Sequence, residues 1–146
     1  MSKLISDLDL SIQKNAKNAW DEMKASKKLK ALGVETIAIS ETRRSLSVQM
    51  AYYSRGRMDP ADVKRMYSAA GLYDISEEES KKKNTNTLYS NHLSGKAIDF
   101  VPVKDGKYWW NAPKEVWEAM GEIGEKNGLK WGGRWKDFPD SPHFEK

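Results

Sequence analysis

The sequence predicts an α+β domain with a small, mainly antiparallel sheet flanked by helices. Three observations predict it. Stretches with helical apolar spacing are interspersed with short β-branched runs, Asp105-Gly106 forms a hairpin-type turn, and no internal repeat or interdomain linker divides the 146 residues. A chain of this length forms one compact domain with a real core, so residues 1–146 are read as a single unit with no second domain.

Each element follows from local pattern. From Ser11 to Leu32, apolar residues recur at helical spacing (Ile12, Ala16, Ala19, Trp20, Met23), and Gly33 stands where a helix C-terminal glycine is favoured. One amphipathic helix is expected there. Val34 to Ser40, VETIAIS, is short and rich in β-branched residues and reads as a buried strand leading into the polar ETRRS. A second helix starts near Ser45 and runs to about Arg55. Asp59-Pro60 supplies an N-cap and a first-turn proline, so Ala61 to Ala70 is a third helix, ended by Gly71. Ser76 to Thr87, SEEESKKKNTNT, carries almost no apolar side chain and is expected to be a flexible polar loop. Lys96 to Val103 reads as a strand that turns at Lys104-Asp105-Gly106 into a hairpin. Asn111 is expected to cap a helix with Pro113 near its start and Val116, Trp117, Met120 and Ile123 as its apolar stripe, stopped by Gly128. The remaining LKWGGRWKDFPDSPHFEK reads as a strand, a glycine turn, a loop and a short final strand.

Composition excludes whole classes of chemistry. With no cysteine there is no disulfide framework, thiol nucleophile or cysteine-based zinc knuckle, so a metal must use His, Asp or Glu. The excess of 25 Lys and Arg over 21 Asp and Glu gives a net charge of +4, compatible with anionic partners and diagnostic of none. No apolar run approaches the roughly 20 residues that span a bilayer, and MSKLISDLDLS has two Asp where a signal peptide would be apolar. A cytoplasmic origin is expected. Imidazole chemistry is limited to two residues, His92 and His143.

Both histidines sit in short motifs with carboxylates and turn residues. In SNHLSGKAIDF, Gly95 lies between His92 and Asp99, so a loop histidine and a strand aspartate can converge on one ion; His143 can supply a third ligand. Three protein ligands with one open position for water are the arrangement of zinc hydrolases. Asp140 precedes His143 by three residues in DSPH, and an extended turn at Ser141-Pro142 places it beside that water as a general base. Its bland alternative is an Asx-turn acceptor. Glu145 shares a strand face with His143 and is either a rival base or the group that orients that imidazole. Trp117 reads as core. Trp131 and Trp135, which flank Gly132-Gly133, read as groove wall, and Lys81 to Lys83 as a solvated run.

These residues resemble a family, the zinc D-Ala-D-Ala carboxypeptidases and L-alanyl-D-glutamate endopeptidases of bacterial cell walls and phage endolysins. SNHLSGKAIDF fits the family's Ser-x-His-x-x-Gly-x-Ala-x-Asp signature at Ser90, His92, Gly95, Ala97 and Asp99, and DSPHFE fits its acidic-x-x-His ending at Asp140 and His143. ETRRSLSVQ resembles the segment carrying the family's Arg and Gln, on Arg44 and Gln49, although the adjacent Arg43 leaves the choice of arginine open. WGGRW resembles a WGG-acidic-W element, with Arg134 in place of the acid. The resemblance implies the hedgehog and DD-peptidase-like zinc fold, one zinc on His92, Asp99 and His143, Asp140 as catalytic base and acid, and Arg44 as the oxyanion-stabilising cation. It also implies a substrate contact at Ser90, Gln49 and Trp135. The expected activity is hydrolysis of peptidoglycan stem peptides at L-Ala-D-Glu, in the manner of a phage endolysin made in the host cytoplasm and acting at the wall as a monomer. D-Ala-D-Ala carboxypeptidase is the close second reading, since one catalytic set serves both bonds. A non-catalytic zinc-bearing binding module is the reading from another class, and Asp140 separates it from an enzyme. Nucleic-acid binding is a third, without a motif to support it.

Overall fold

The computed structural model describes residues 1–146. In chain order its elements are α1 (Leu10–Ala25), α2 (Lys27–Ala31), β1 (Thr36–Glu41), α3 (Leu46–Ser54), α4 (Pro60–Ala69), α5 (Glu77–Ser80), β2 (Ala97–Lys104), β3 (Lys107–Tyr108), α6 (Lys114–Lys126), β4 (Lys130–Trp131) and β5 (His143–Glu145), with 3-10 turns at Ile5–Asp7 and Gly132–Arg134. The sheet is antiparallel in the order β1-β2-β5-β4, and β3 folds back on β2 through the Asp105-Gly106 turn, where both residues have positive φ. The α+β expectation therefore holds. No helix is long and apolar enough to cross a membrane.

Strand alternation separates core from site. Ile98 and Phe100 of β2 and Phe144 of β5 are fully buried against α1 and α6, in a cluster that includes Ile12, Ala16, Val116 and Met120. The intervening residues, Asp99 and His143, pair across the two strands and face the other way. The register that fills the core thus also brings these two side chains together, and a slip by one residue would exchange them with phenylalanines. A second, smaller cluster of Ala51, Val63, Tyr67 and Ile75 holds α3 and α4 to the segment after them.

Three local expectations need correction. The single helix expected over Ser11 to Leu32 is two, because Ser26 leaves helical geometry and its hydroxyl accepts from the Leu29 amide as the cap of α2. The cap of α6 is Pro113 rather than Asn111, which lies in the preceding turn. The polar segment 76–87 is tied to the fold rather than free of it: Ser76 caps the helical turn α5, Ser80 is fully buried, the Gly56 amide donates to the Ser80 carbonyl and Arg55 Nε donates to the Lys82 carbonyl. Hydrophobicity alone missed this anchor because it is made by backbone polar groups.

Candidate functional site

Three chain segments meet at one point on the polar face of the sheet. Asp99 comes from the middle of β2, His143 from the start of β5, and His92 from the turn before β2. Gly95 makes that turn possible: its φ is +74°, and an added Cβ would lie 2.9 Å from the Asp9 amide nitrogen. Nε2 of His92 lies 3.1 Å and Nδ1 of His143 3.2 Å from Oδ1 of Asp99, and the three ligand atoms fall within 4.8 Å of one another. Both imidazoles are buried.

The outer edges of the two rings are fixed. Nδ1 of His92 donates to the Thr42 carbonyl at 2.6 Å, and Nε2 of His143 donates to Oε2 of Glu145 at 2.7 Å. With those protons outward, the inward atoms are three acceptors crowded together with no donor among them, an arrangement that calls for a cation. Burial opposes a charge on His143, but its contacts with Asp99 and Glu145 prevail and push it up to about 9. Burial likewise opposes the charge of Asp99, and the two imidazoles of His143 and His92 beside it hold its carboxyl well below the usual carboxylate range. Two imidazoles and one carboxylate, each held by an outer partner, fit zinc in donor type and number. Of the two options open for Glu145, its contact with Nε2 makes it the group that orients His143.

Asp140 faces the same cleft from the loop before β5. Its amide donates to the Gly132 carbonyl at 2.9 Å, and its carbonyl accepts from the His143 amide at 3.2 Å. Burial, and then the negative charge of Asp99, push its carboxyl above the ordinary value, as suits a proton acceptor. Gly132 is where the loop passes closest: an added Cβ would sit 2.6 Å from the Asp140 carbonyl oxygen and 3.1 Å from Cβ of His143. Gly132→Ala is expected to displace both side chains and lower catalytic turnover by about 100-fold, the order of loss that a misplacement of about 1 Å brings. Turnover of the purified variant, with circular dichroism to show that it folds, is the check.

Across the cleft stands Arg44. A bulge at Ser40 shifts the β1 register between Ile39 and Glu41 and turns Glu41 and Thr42 toward the site. The Arg44 guanidinium donates to both Glu41 oxygens at 2.6 and 2.5 Å and to Oε1 of Gln49 at 2.7 Å, above the Tyr52 ring. Burial opposes its charge, but Glu41 more than offsets this and raises the guanidinium above its ordinary value. Arg43 is exposed and does not line the cleft, so the choice between adjacent arginines falls on Arg44. Gln49 differs from expectation. It is fully buried and off the cleft surface, and its amide donates to the Thr87 carbonyl at 2.8 Å, so it braces Arg44 against the 84–87 segment rather than reaching a substrate.

The cleft has a volume of about 830 Å³. Ser90 and Trp135 line it, with the Trp135 ring 4.9 Å from that of His143, whereas Trp131, expected beside Trp135 as groove wall, is buried in the main core cluster. Nor does Arg134 line the cleft: it pairs with Glu125 on α6 and lies over the Trp131 ring, so the replaced acid leaves the charge of the cleft untouched. Reading the motifs missed Glu41, the Thr42 carbonyl and the polar wall from Asn84 to Thr87. Only Glu41, three residues before Arg44 in ETRRS, had a sequence signal, as an acid within reach of an arginine.

Comparison with known proteins agrees with this geometry. The family described as D-alanyl-D-alanine carboxypeptidase matches residues 83–146, the part that holds His92, Asp99, Asp140 and His143. The peptidoglycan L-alanyl-D-glutamate endopeptidase CwlK of Bacillus subtilis is 31% identical over 148 aligned residues, covering 96% of this chain and 74% of CwlK. The L-alanyl-D-glutamate peptidase of a Listeria phage is 32% identical over 77 residues, 49% of this chain and 27% of the phage protein. Among solved structures, the Serratia marcescens L-Ala D-Glu endopeptidase ChiX superposes with a TM-score of 0.57 at 20% identity, covering 97% of this chain and 81% of ChiX. The vancomycin resistance D,D-pentapeptidase VanY, solved with Zn(II), superposes with a TM-score of 0.51 at 16% identity, covering 94% and 71%. On the near-complete alignment with CwlK, supported by the family match over the metal motifs, the chain belongs to the zinc D-Ala-D-Ala carboxypeptidase and L-alanyl-D-glutamate endopeptidase family.

Proposed function

We propose that the protein is a zinc peptidase that hydrolyses the L-Ala-D-Glu bond of peptidoglycan stem peptides. The observation that carries it is the convergence of the His92, Asp99 and His143 acceptors with the Asp140 carboxyl at the floor of one large polar cleft. The choice of bond rests on the relatives, CwlK and the phage peptidase, whose names specify it. The phage relative supports a reading in which the protein acts at the bacterial wall as an endolysin; manufacture in the host cytoplasm and action as a monomer are part of the same proposal.

His92, Asp99 and His143 are the residues that would hold the zinc, which when bound supplies Lewis acidity for water activation and carbonyl polarisation. Asp140 takes the proton of the attacking water and returns it to the leaving amine. Arg44 faces the developing oxyanion with the two guanidinium N–H groups that remain after three of its five are engaged by Glu41 and Gln49. Because Glu41 and Gln49 hold it before substrate arrives, little reorganisation is needed at that moment. Thr42 and Glu145 keep the imidazole rings turned with their inward nitrogens bare.

The test is a digest of purified peptidoglycan analysed by mass spectrometry. New D-Glu amino termini are expected; released D-Ala would instead make the protein a carboxypeptidase.

A further inference from the structure

Three exposed aromatic side chains line the cleft, and the fold does not use them as core. Tyr89 is 88% exposed, Phe138 68% and Trp135 41%, and all three line the cleft. None belongs to either buried cluster. Apart from Pro139, the rest of the lining is polar or charged. Exposed apolar rings lining an otherwise polar cleft are available to a ligand, and flat rings beside hydrogen-bonding groups match a ligand with one C–H face and many polar edges. A pyranose sugar is such a ligand.

The chemistry of the proposed substrate places a sugar there. L-Ala of the stem is attached to the lactyl group of a muramoyl sugar, so only one residue and the lactyl unit separate the scissile carbonyl from the pyranose. At about 3.5 Å per extended unit, the sugar lies roughly 7 Å from the reacting carbon. The terminal D-Ala-D-Ala bond of a pentapeptide stem is about five such units away, roughly 17 Å. Trp135, packed beside His143, begins a platform within the shorter distance. We propose that Tyr89, Trp135 and Phe138 form a subsite for the N-acetylmuramoyl sugar, so that the protein recognises a stem peptide still joined to its glycan in preference to the free peptide. This proposal rests on the L-Ala-D-Glu reading.

The test compares two substrates of identical peptide sequence, a stem pentapeptide linked to the GlcNAc-MurNAc disaccharide and the same pentapeptide free. The wild-type protein is expected to cleave the linked form with kcat/KM higher by about tenfold, the effect falling on KM, as binding by one or two stacking rings would give. Tyr89→Ala and Phe138→Ala, both at exposed positions, are expected to cut that ratio by about threefold or more each, through the linked substrate. The disaccharide alone is expected to inhibit cleavage of the free peptide competitively in the wild type and less in the variants. Equal kcat/KM for the two substrates, with both cut at L-Ala-D-Glu, overturns the sugar subsite and leaves the bond assignment standing; so do variants that slow both substrates equally. New D-Ala in place of D-Glu amino termini overturns the bond assignment and the subsite with it.

Discussion

Asp140→Ala is expected to retain stoichiometric zinc and to lose peptidoglycan hydrolysis by about 10³-fold, within the range that a positioned general acid and base contributes. The two properties separate because Asp140 is outside the cluster of inward-facing atoms, which is made by His92, Asp99 and His143. Its backbone would still close the turn onto Gly132 and His143, since those hydrogen bonds use the main chain. Removal of a carboxyl whose pKa is raised by burial and by the charge of Asp99 also relieves repulsion at the site, so the variant should fold at least as well as the parent. Metal content by atomic absorption, thermal unfolding and turnover of purified wall material measure the three. A variant that keeps near-wild-type hydrolysis would remove Asp140 from the mechanism, and zinc without hydrolysis in the parent protein would favour the binding-module reading.

His92→Ala is expected to lose both metal and activity. The ring is buried, donates to Thr42 on one side and meets Asp99 on the other, so its loss removes a ligand atom and leaves the carbonyl and carboxylate without their partner. The zinc affinity should fall by more than the 10- to 100-fold that removal of an outer hydrogen-bond partner costs, and hydrolysis should fall to background. The folded variant should also be less stable by about 1–3 kcal/mol, the cost of buried polar groups left unpaired. Competition with a chromophoric chelator reads the affinity. Stoichiometric metal in this variant would contradict the ligand assignment.

How far each part was legible depends on the kind of interaction that forms it. The strands containing Asp99 and His143 were visible because β-branched and aromatic residues mark them, and the two metal motifs because spacing around Gly95 and Pro142 leaves few conformations. The break at Ser26 was not visible, since Lys27 to Ala31 continues a passable helical pattern and only the capping hydroxyl decides against it. The role of Gln49 was hidden for a similar reason: its partners, Arg44 and the Thr87 carbonyl, are brought together by the path of a polar segment without a hydrophobic period. The replacement of the acid by Arg134 in WGGRW carries no message for the cleft, because the 3-10 turn at Gly132–Arg134 sends Arg134 to Glu125 and Trp135 to His143.

The division of the interior into a large cluster and a four-residue one means that the protein does not have one uniform resistance to opening. Local unfolding starts where least apolar surface is buried, which is the α3–α4 hairpin on Ala51, Val63, Tyr67 and Ile75. Gln49 and the floor beneath Arg44 belong to that hairpin, whereas Asp99 and His143 are set in strands sealed by the main core. Amide exchange is therefore expected to be faster in the wall that holds Arg44 than in the strands that hold Asp99 and His143.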